Sequence, residues 1–428
     1  MPERCQPHRL PDAFRMKILW IKSGPLFPLN TGGRKRTQAM LVELARGHEV
    51  TYLAFFDEAT PITKEEKRSP YAADKKWIPL REHPKPSFAL LLAVLKNFLF
   101  STLPWALAKW HHPAMVRAIT EECRNKTYDL LVCDFLYPAL NVAEANLSLP
   151  TVLFQHNIES LIWKRMAENK RSPISRAYFK SQHDRFFRAE KALSAGFDAI
   201  ITVSPEDTRF ARERYGLENV VGDVATGVDT DYFNRHDTAP KPKRLGFLGS
   251  MDWMPNIEGV AWFVKEILPS LHRTDPEIEF VIIGRNPPAS IRELSAVDPR
   301  IVVTGTVEDV RPFVSECRAI VVPLLSGGGT RLKILEALAM GVPVISTSIG
   351  AEGLMLEHDR HLLLADVPDT FAASCLRLLQ SDEACAALSR NGRELVTEQH
   401  GWAGAARTFQ NLCSEVLASR RSQKAPAP

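Results

Sequence analysis

The sequence has no Cys-x-x-Cys pair, no glycine-x-glycine-x-x-glycine fingerprint, little net charge, and no uninterrupted apolar run of the ~20 residues a membrane-spanning helix needs. Each absence bears on a class of protein. The seven cysteines, Cys5, Cys123, Cys133, Cys317, Cys375, Cys385 and Cys413, are odd in number and scattered, which argues against a structural metal and for a reducing compartment. Without the glycine fingerprint and an acid about 20 residues beyond it, the chain does not read as a Rossmann oxidoreductase. A formal charge of +4 is too small to indicate nucleic-acid binding, and fits anionic substrates or a membrane surface equally well. The opening residues, MPERCQPHRLPDAFR, lack the apolar core of a secretory signal, so a cytoplasmic protein is expected. Met16 begins a fresh apolar start, and Met1 to Arg15 is expected to be a disordered extension or a start-codon artefact.

The most apolar stretch, Phe88 to Trp110, is interrupted by Lys96 and Asn97 and broken by Pro104. Two readings remain. It is either helices packed on the N-terminal sheet, or an amphipathic element resting on a membrane with His111, His112 and nearby basic residues at its rim. Packing is favoured, because a run apolar on most faces usually means burial.

What is present is an ordinary globular composition, 45% hydrophobic and 24% charged, in 428 residues, which is too long for one core and predicts two domains. Lys17 to Ile21 reads as a strand, Gly32-Gly33 as the turn into a helix from about Arg34 to Ala45, and Glu49 to Ala54 as a second strand. This βαβ unit places glycines where doubly wound sheets bind ligands. Asp57 to Pro86 reads as a long connection. Thr151 to Gln155 is a strand entering His156-Asn157. A lone histidine is often a satisfied polar residue, but His156 stands just past the end of an expected parallel strand, where such folds place ligands. Ser204-Pro205-Glu206-Asp207 opens a helix with a cap and needs no chemistry. A polar segment from Asp229 to Lys243 separates the halves. The alternation then restarts with a strand at Arg244 to Leu248, the loop Gly249-Ser250, a helix over Ile257 to His272 and a strand over Ile278 to Ile283.

Ala319 to Ser346 reads as strand, loop, helix, strand. In its loop, Ser326-Gly327-Gly328-Gly329, the glycines let backbone N–H groups approach a ligand, and a helix beginning near Thr330 aims its unpaired amides at the same place. Arg331 and Lys333 sit in the first turn, where the dipole disfavours cations and a phosphate would favour them. Glu336 follows three residues after Lys333, placed to accept hydrogen bonds from a vicinal diol such as a ribose. Diphosphate beside diol describes a nucleotide. The plainer alternative is a flexible turn followed by a surface Lys333–Glu336 pair worth about 0.2–0.5 kcal/mol.

Gly32-Gly33, Arg46-Gly47-His48-Glu49-Val50, His156-Asn157-Ile158-Glu159-Ser160, Val203-Ser204, Gly227-Val228-Asp229, Gly249-Ser250-Met251-Asp252-Trp253 and Gly327 to Gly341 stand in an order that covers nearly all of Met16 to Val416. Together they resemble the retaining glycosyltransferases of GT-B fold, family 4 (glycosyl transferases group 1). The resemblance implies an α/β protein with two Rossmann-like, doubly wound parallel-sheet domains facing a central cleft. Residues 16–228 would bind the acceptor, 229–243 would link, and 244–400 would bind a nucleotide diphosphate sugar. A helix over 401–420 would pack back toward the N-terminal domain, and 421–428 would form a disordered tail. It implies metal-independent transfer with retention, and no cofactor beyond the donor. Arg331 and Lys333 would hold the departing diphosphate, Glu336 the ribose hydroxyls and the Gly33 amide a phosphate oxygen. His156 would face the transferred sugar, and Gly249, Ser250, Gly328, Gly329 and Thr330 would complete the donor site. The acceptor class is a glycan or polyprenyl-linked sugar. Peripheral contact with an inner membrane is expected from Phe88 to Trp110 with Arg34, Lys35, Arg36, Lys164, Arg165, Lys170 and Arg171.

Two departures from that pattern stand out. Of the family's two glutamates eight positions apart, Glu336 matches the second while Gly328 occupies the first. The arginine and lysine usual after the first strand of the C-terminal domain are missing from Gly249 to Asn256. A nucleotide-sugar epimerase or hydrolase of the same fold, or a non-catalytic nucleotide-sugar-binding protein, would use the same anion site.

Overall fold

A computed structural model describes residues 15–81, 87–169, 172–234, 238–326 and 331–424. The chain divides into two compact units. The first takes residues 15–163, 177–224 and 405–424; the second takes 164–176 and 225–404. The contiguous boundaries at 228 and 244 therefore do not describe it. Residues 164–176 belong with the second unit, where Arg165 donates both terminal nitrogens to Glu352 at 2.6 Å.

The first unit holds seven strands: β1 (Lys17–Lys22), β2 (Glu49–Asp57), β3 (Asp74–Leu80), β4 (Leu130–Asp134), β5 (Thr151–Phe154), β6 (Ala199–Thr202) and β7 (Val220–Asp223). They are all parallel, in the order β3-β2-β1-β4-β5-β6-β7. The second holds β8 (Arg244–Leu248), β9 (Glu279–Ile283), β10 (Ile301–Gly305), β11 (Ala319–Val322), β12 (Val344–Ser346) and β13 (Leu363–Leu364), again all parallel, in the order β10-β9-β8-β11-β12-β13. Strand order reverses between β1 and β4 and between β8 and β11, the places where doubly wound sheets take ligands.

The central strands are apolar along most of their length, as expected where helices cover both faces, with charged Lys22 and Asp134 at the ends of β1 and β4. Leu19, Trp20 and Ile21 of β1 pair with Leu131, Val132 and Cys133 of β4, and all six are fully buried. Trp20 meets Phe154 and Phe409, whose ring centroids lie 6.2 and 5.6 Å away. Phe409 belongs to the last helix, Trp402–Lys424, and the part of that helix from Ala405 onward covers a face of the first sheet. The helix runs past 420, and the expected tail beyond 424, like residues 1–14, lies outside the described residues.

Several elements differ from the expectation. The connection over 57–86 contains a helix at Lys64–Arg68 and all of β3. Lys75, Lys76 and Pro79 hide that strand in the sequence, and Pro79 is tolerated because β3 is an edge. The single helix expected over 257–272 is three pieces, Met254–Trp262, a π-helical turn at Phe263–Ile267, and Leu268–Thr274. Pro269 offers no N–H to the carbonyl four residues earlier, and the wider turn accommodates that loss. Within the expected linker Phe233 is buried in the second unit's core.

Phe88 to Trp110 forms helices at Phe88–Phe100 and Trp105–Ala108, but the first does not bury itself. Asn97 is its one buried residue, while Phe88, Leu91, Leu92, Leu95, Leu99 and Phe100 are 48–82% exposed. The expectation of packing is corrected on this point: the helix lays one side on the protein and leaves an apolar side uncovered. No described helix is long and apolar enough to cross a membrane.

Candidate functional site

In the second unit, the ends of β8, β9 and β11 converge on one polar cluster. The helix expected from Thr330 begins two residues later, with Arg331 as its cap and Leu332–Ala339 as its body. Arg331 is buried and donates to the Ile349 carbonyl at 3.4 Å. Lys333 turns its Nζ onto the Asn256 Oδ1 at 2.8 Å and over the Phe247 ring, 4.3 Å from the centroid. Burial pushes the Lys333 ammonium down to about 7, and the Arg331 charge adds to that effect. Glu336, one turn deeper, is only 5% exposed, so the reading of Lys333 and Glu336 as a surface pair does not hold.

Gly249 leaves room for the ends of two side chains. A β-carbon there would lie 2.7 Å from Lys333 Nζ and 2.9 Å from Asn256 Nδ2. Asn256 also donates to the Ser250 carbonyl at 2.7 Å. The structure thus brings Gly249, Ser250 and Lys333 together through Asn256, a residue that sequence reasoning passed over. It also passed over Arg285. From the end of β9 its Nε donates to Ser250 Oγ at 2.8 Å, and its terminal nitrogen lies 3.2 Å from Asp252. Arg285 and Lys333 thus place two basic side chains beside the turn after β8, one from each side. Arg285 directly follows Gly284 at the end of β9, and only the pairing of β9 with β8 shows that this end lies beside the loop after β8. Gly328, Gly329 and Thr330 lie outside the described residues.

In the first unit, His156 and Gly33 meet around one aromatic ring. Thr31 caps the helix Gly32–Leu44, so Gly33 stands in its first turn, where no helical carbonyl reaches its N–H. A β-carbon on Gly33 would come 2.7 Å from the tip of Phe135. The other side of Phe135 covers His156, with centroids 3.9 Å apart, and Phe154 closes the imidazole from another direction at 4.5 Å. Phe135 holds φ at +70°, a left-handed conformation costly for a bulky residue. His156 is accordingly only 4% exposed.

Beneath the imidazole lies an unforeseen charge. Asp134, fully buried at the end of β4, has Oδ1 2.8 Å from His156 Nε2. Its Oδ2 accepts from Trp20 Nε1 at 2.9 Å, Lys22 Nζ at 2.8 Å and Thr37 Oγ1 at 2.7 Å. Burial opposes ionisation of Asp134, yet Lys22 and His156 hold its carboxyl well below the usual range. Burial lowers His156 to about 4 despite Asp134, so the imidazole is neutral near pH 7. Asp134 escaped notice because it ends the apolar run LLVCD and reads as a strand residue.

Comparisons of sequence and of structure with known proteins identify relatives of the chain. Residues 38–232 match the family described as Glycosyltransferase Family 4, and residues 242–381 match Glycosyl transferases group 1. An uncharacterized 44.6 kDa protein in the cps region of Klebsiella pneumoniae is 21% identical over 395 residues, covering 90% of this chain and 96% of that one. Among solved structures, sucrose-phosphate synthase (tll1590) from Thermosynechococcus elongatus superimposes with a TM-score of 0.70 at 18% identity, over 95% of this chain and 100% of that one. Anabaena Alr3699/HepE in complex with UDP and glucose gives 0.64 at 14%, also over 95% and 100%. With both halves matched and two Rossmann-like parallel sheets in place, the chain belongs to the family 4, group 1 glycosyltransferases of GT-B fold.

Proposed function

We propose that the protein moves a hexose from a nucleotide diphosphate sugar to a glycan or polyprenyl-linked acceptor, with retention and without a metal, at the cytoplasmic face of a membrane, in the assembly of a polysaccharide or glycoconjugate. The observation that carries this reading is Lys333, held by Asn256 against Gly249 with Arg331 beside it and buried Glu336 one turn deeper on the same helix. A bond to a nucleoside diphosphate breaks when the leaving charge is stabilised, and fixed cations in a water-poor site supply that stabilisation. Arg331, Lys333 and Arg285 are those cations, and Glu336 takes the ribose hydroxyls. The relative in a cps region and the neighbour that holds UDP and glucose support the polysaccharide context and the donor class. His156 contacts the sugar after Phe135 swings aside. Gly328 leaves the first position of the glutamate pair without a carboxylate, which puts more of the catalytic burden on the leaving-group side.

Thermal unfolding with UDP, GDP, ADP or NAD, each without metal, tests the donor site in the wild type and in Glu336→Ala. A nucleoside diphosphate at 100 times its dissociation constant is expected to add about 2.7 kcal/mol of apparent stability. The variant should lose most of the shift. A response to NAD alone, or to none of the four, would overturn the proposal. Sugar release that needs no acceptor would favour a hydrolase instead.

A further inference from the structure

The helix Phe88–Phe100 presents an unusual surface. Phe88, Leu92, Leu95 and Leu99 recur at spacings of four, three and four, one stripe along a helix, and Leu91 and Phe100 widen it. All six are largely exposed. A contiguous apolar face of this kind on a folded protein marks a place where something else binds.

This face is not a frayed end. Ser87 caps the helix by accepting from the Leu90 N–H at 3.1 Å. At the other terminus Arg185 donates to the carbonyls of Asn97 and Phe98 at 3.2 and 2.6 Å, a cation placed on the negative end of the helix dipole. Phe98 packs on Tyr178, with centroids 5.7 Å apart. The fold therefore holds the helix by its inner side and aims the stripe outward.

Charge identifies the occupant. From Ser87 to Pro113 the chain contains no aspartate or glutamate, and its fixed charges are Lys96 and Lys109. Lys96 is exposed on the flank of the stripe. An apolar stripe with cationic and no anionic side chains along its own segment complements an interface of hydrocarbon under negatively charged headgroups. Of the other basic residues expected at a membrane rim, Arg36 is buried and donates to the Val224 carbonyl, and Arg165 is paired with Glu352. Lys170 and Arg171 lie outside the described residues.

We infer that the outer face of Phe88–Phe100 inserts into the surface of an anionic lipid bilayer, with Phe88, Leu92, Leu95 and Leu99 in the acyl boundary and Lys96 among the headgroups. The helix lies in the interface and does not span it, since it is only 13 residues long. This deepens the proposal of a lipid-linked acceptor by fixing which surface of the first unit faces the bilayer, and it stands independently of the donor site.

The test is co-sedimentation of the full chain with vesicles of phosphatidylcholine alone and of phosphatidylcholine with phosphatidylglycerol, at low and high salt. The wild type should bind the anionic vesicles, release in salt, and bind neutral vesicles poorly. Leu92→Glu combined with Leu95→Glu should weaken anionic binding at least about tenfold. Both positions face solvent, so the double variant should keep the wild-type melting temperature and nucleoside diphosphate response. Unchanged vesicle binding in the variant, equal binding to neutral vesicles, or a dimer abolished by the variant without any vesicle binding would each overturn the inference. Failure of the nucleotide response alone would overturn the donor site and leave this surface standing.

Discussion

Lys333 is a cation that folding holds at a disadvantage. Its pKa of about 7 in the empty site means that part of the population has lost the proton at neutral pH. On the proposed role, an arriving diphosphate would restore the charged form, and binding would take up a proton. The affinity for a nucleoside diphosphate is therefore expected to be fully present below about pH 7 and to decline as the pH rises above it. Titration calorimetry across that range should show the decline in the wild type and a flat profile in Lys333→Met. Because the lowered pKa opposes folding, the same variant should also be more stable without ligand, on the order of 1–2 kcal/mol by urea unfolding. Arg285→Ala should weaken nucleoside diphosphate binding roughly tenfold, about the loss of one charge-assisted hydrogen bond. Binding of the bare nucleoside should be unaffected; an equal loss for both would remove Arg285 from the diphosphate. Lys333, Glu336 and His156 were legible from sequence because each stands after a strand at a glycine or polar loop. Arg285 and Asn256 were not, because their relevance comes from a neighbouring strand end that only the sheet order brings near.

At the level of elements, the ends of β1, β4 and β5 are joined by Asp134. Its partners come from three segments of chain, Lys22 from β1, Thr37 from the first helix, and His156 from the loop after β5. Removing one partner of a buried pair leaves the other charge uncompensated, which typically costs about 3–5 kcal/mol. Asp134→Asn should therefore destabilise the first unit by that order. Since the folded pKa of Asp134 is depressed, its contribution is present above the ordinary carboxylate range and is lost as the pH falls through and below it. The variant's stability should accordingly vary less with pH between neutrality and acid than that of the wild type. An identical slope in the two proteins would contradict that role. Strand patterns made β1, β2, β5 and β8 readable from their apolar runs. The edges β3 and β7 were not, because an edge strand is half solvated and carries the lysines, proline and short length that a solvated position permits.

For the whole molecule, two doubly wound parallel sheets were legible because the strand and helix patterns restart after a polar break near 229–243. The membership of each unit was not, since compactness is decided by contacts between residues far apart in the chain. Residues 164–176, which go with the second unit, are the plainest case, whereas the return of the last helix to the first unit, residues 405–424, agrees with what the family resemblance implied. The first unit owns these last residues, yet they come after every residue of the second. A ribosome delivers all seven strands of the first sheet long before it delivers Phe409, which rests on Trp20 and Phe154. During synthesis the first unit must wait with that apolar face uncovered while the second unit is made. Its fold is finished from the far end of the chain, and the order of manufacture is the reverse of the order of completion.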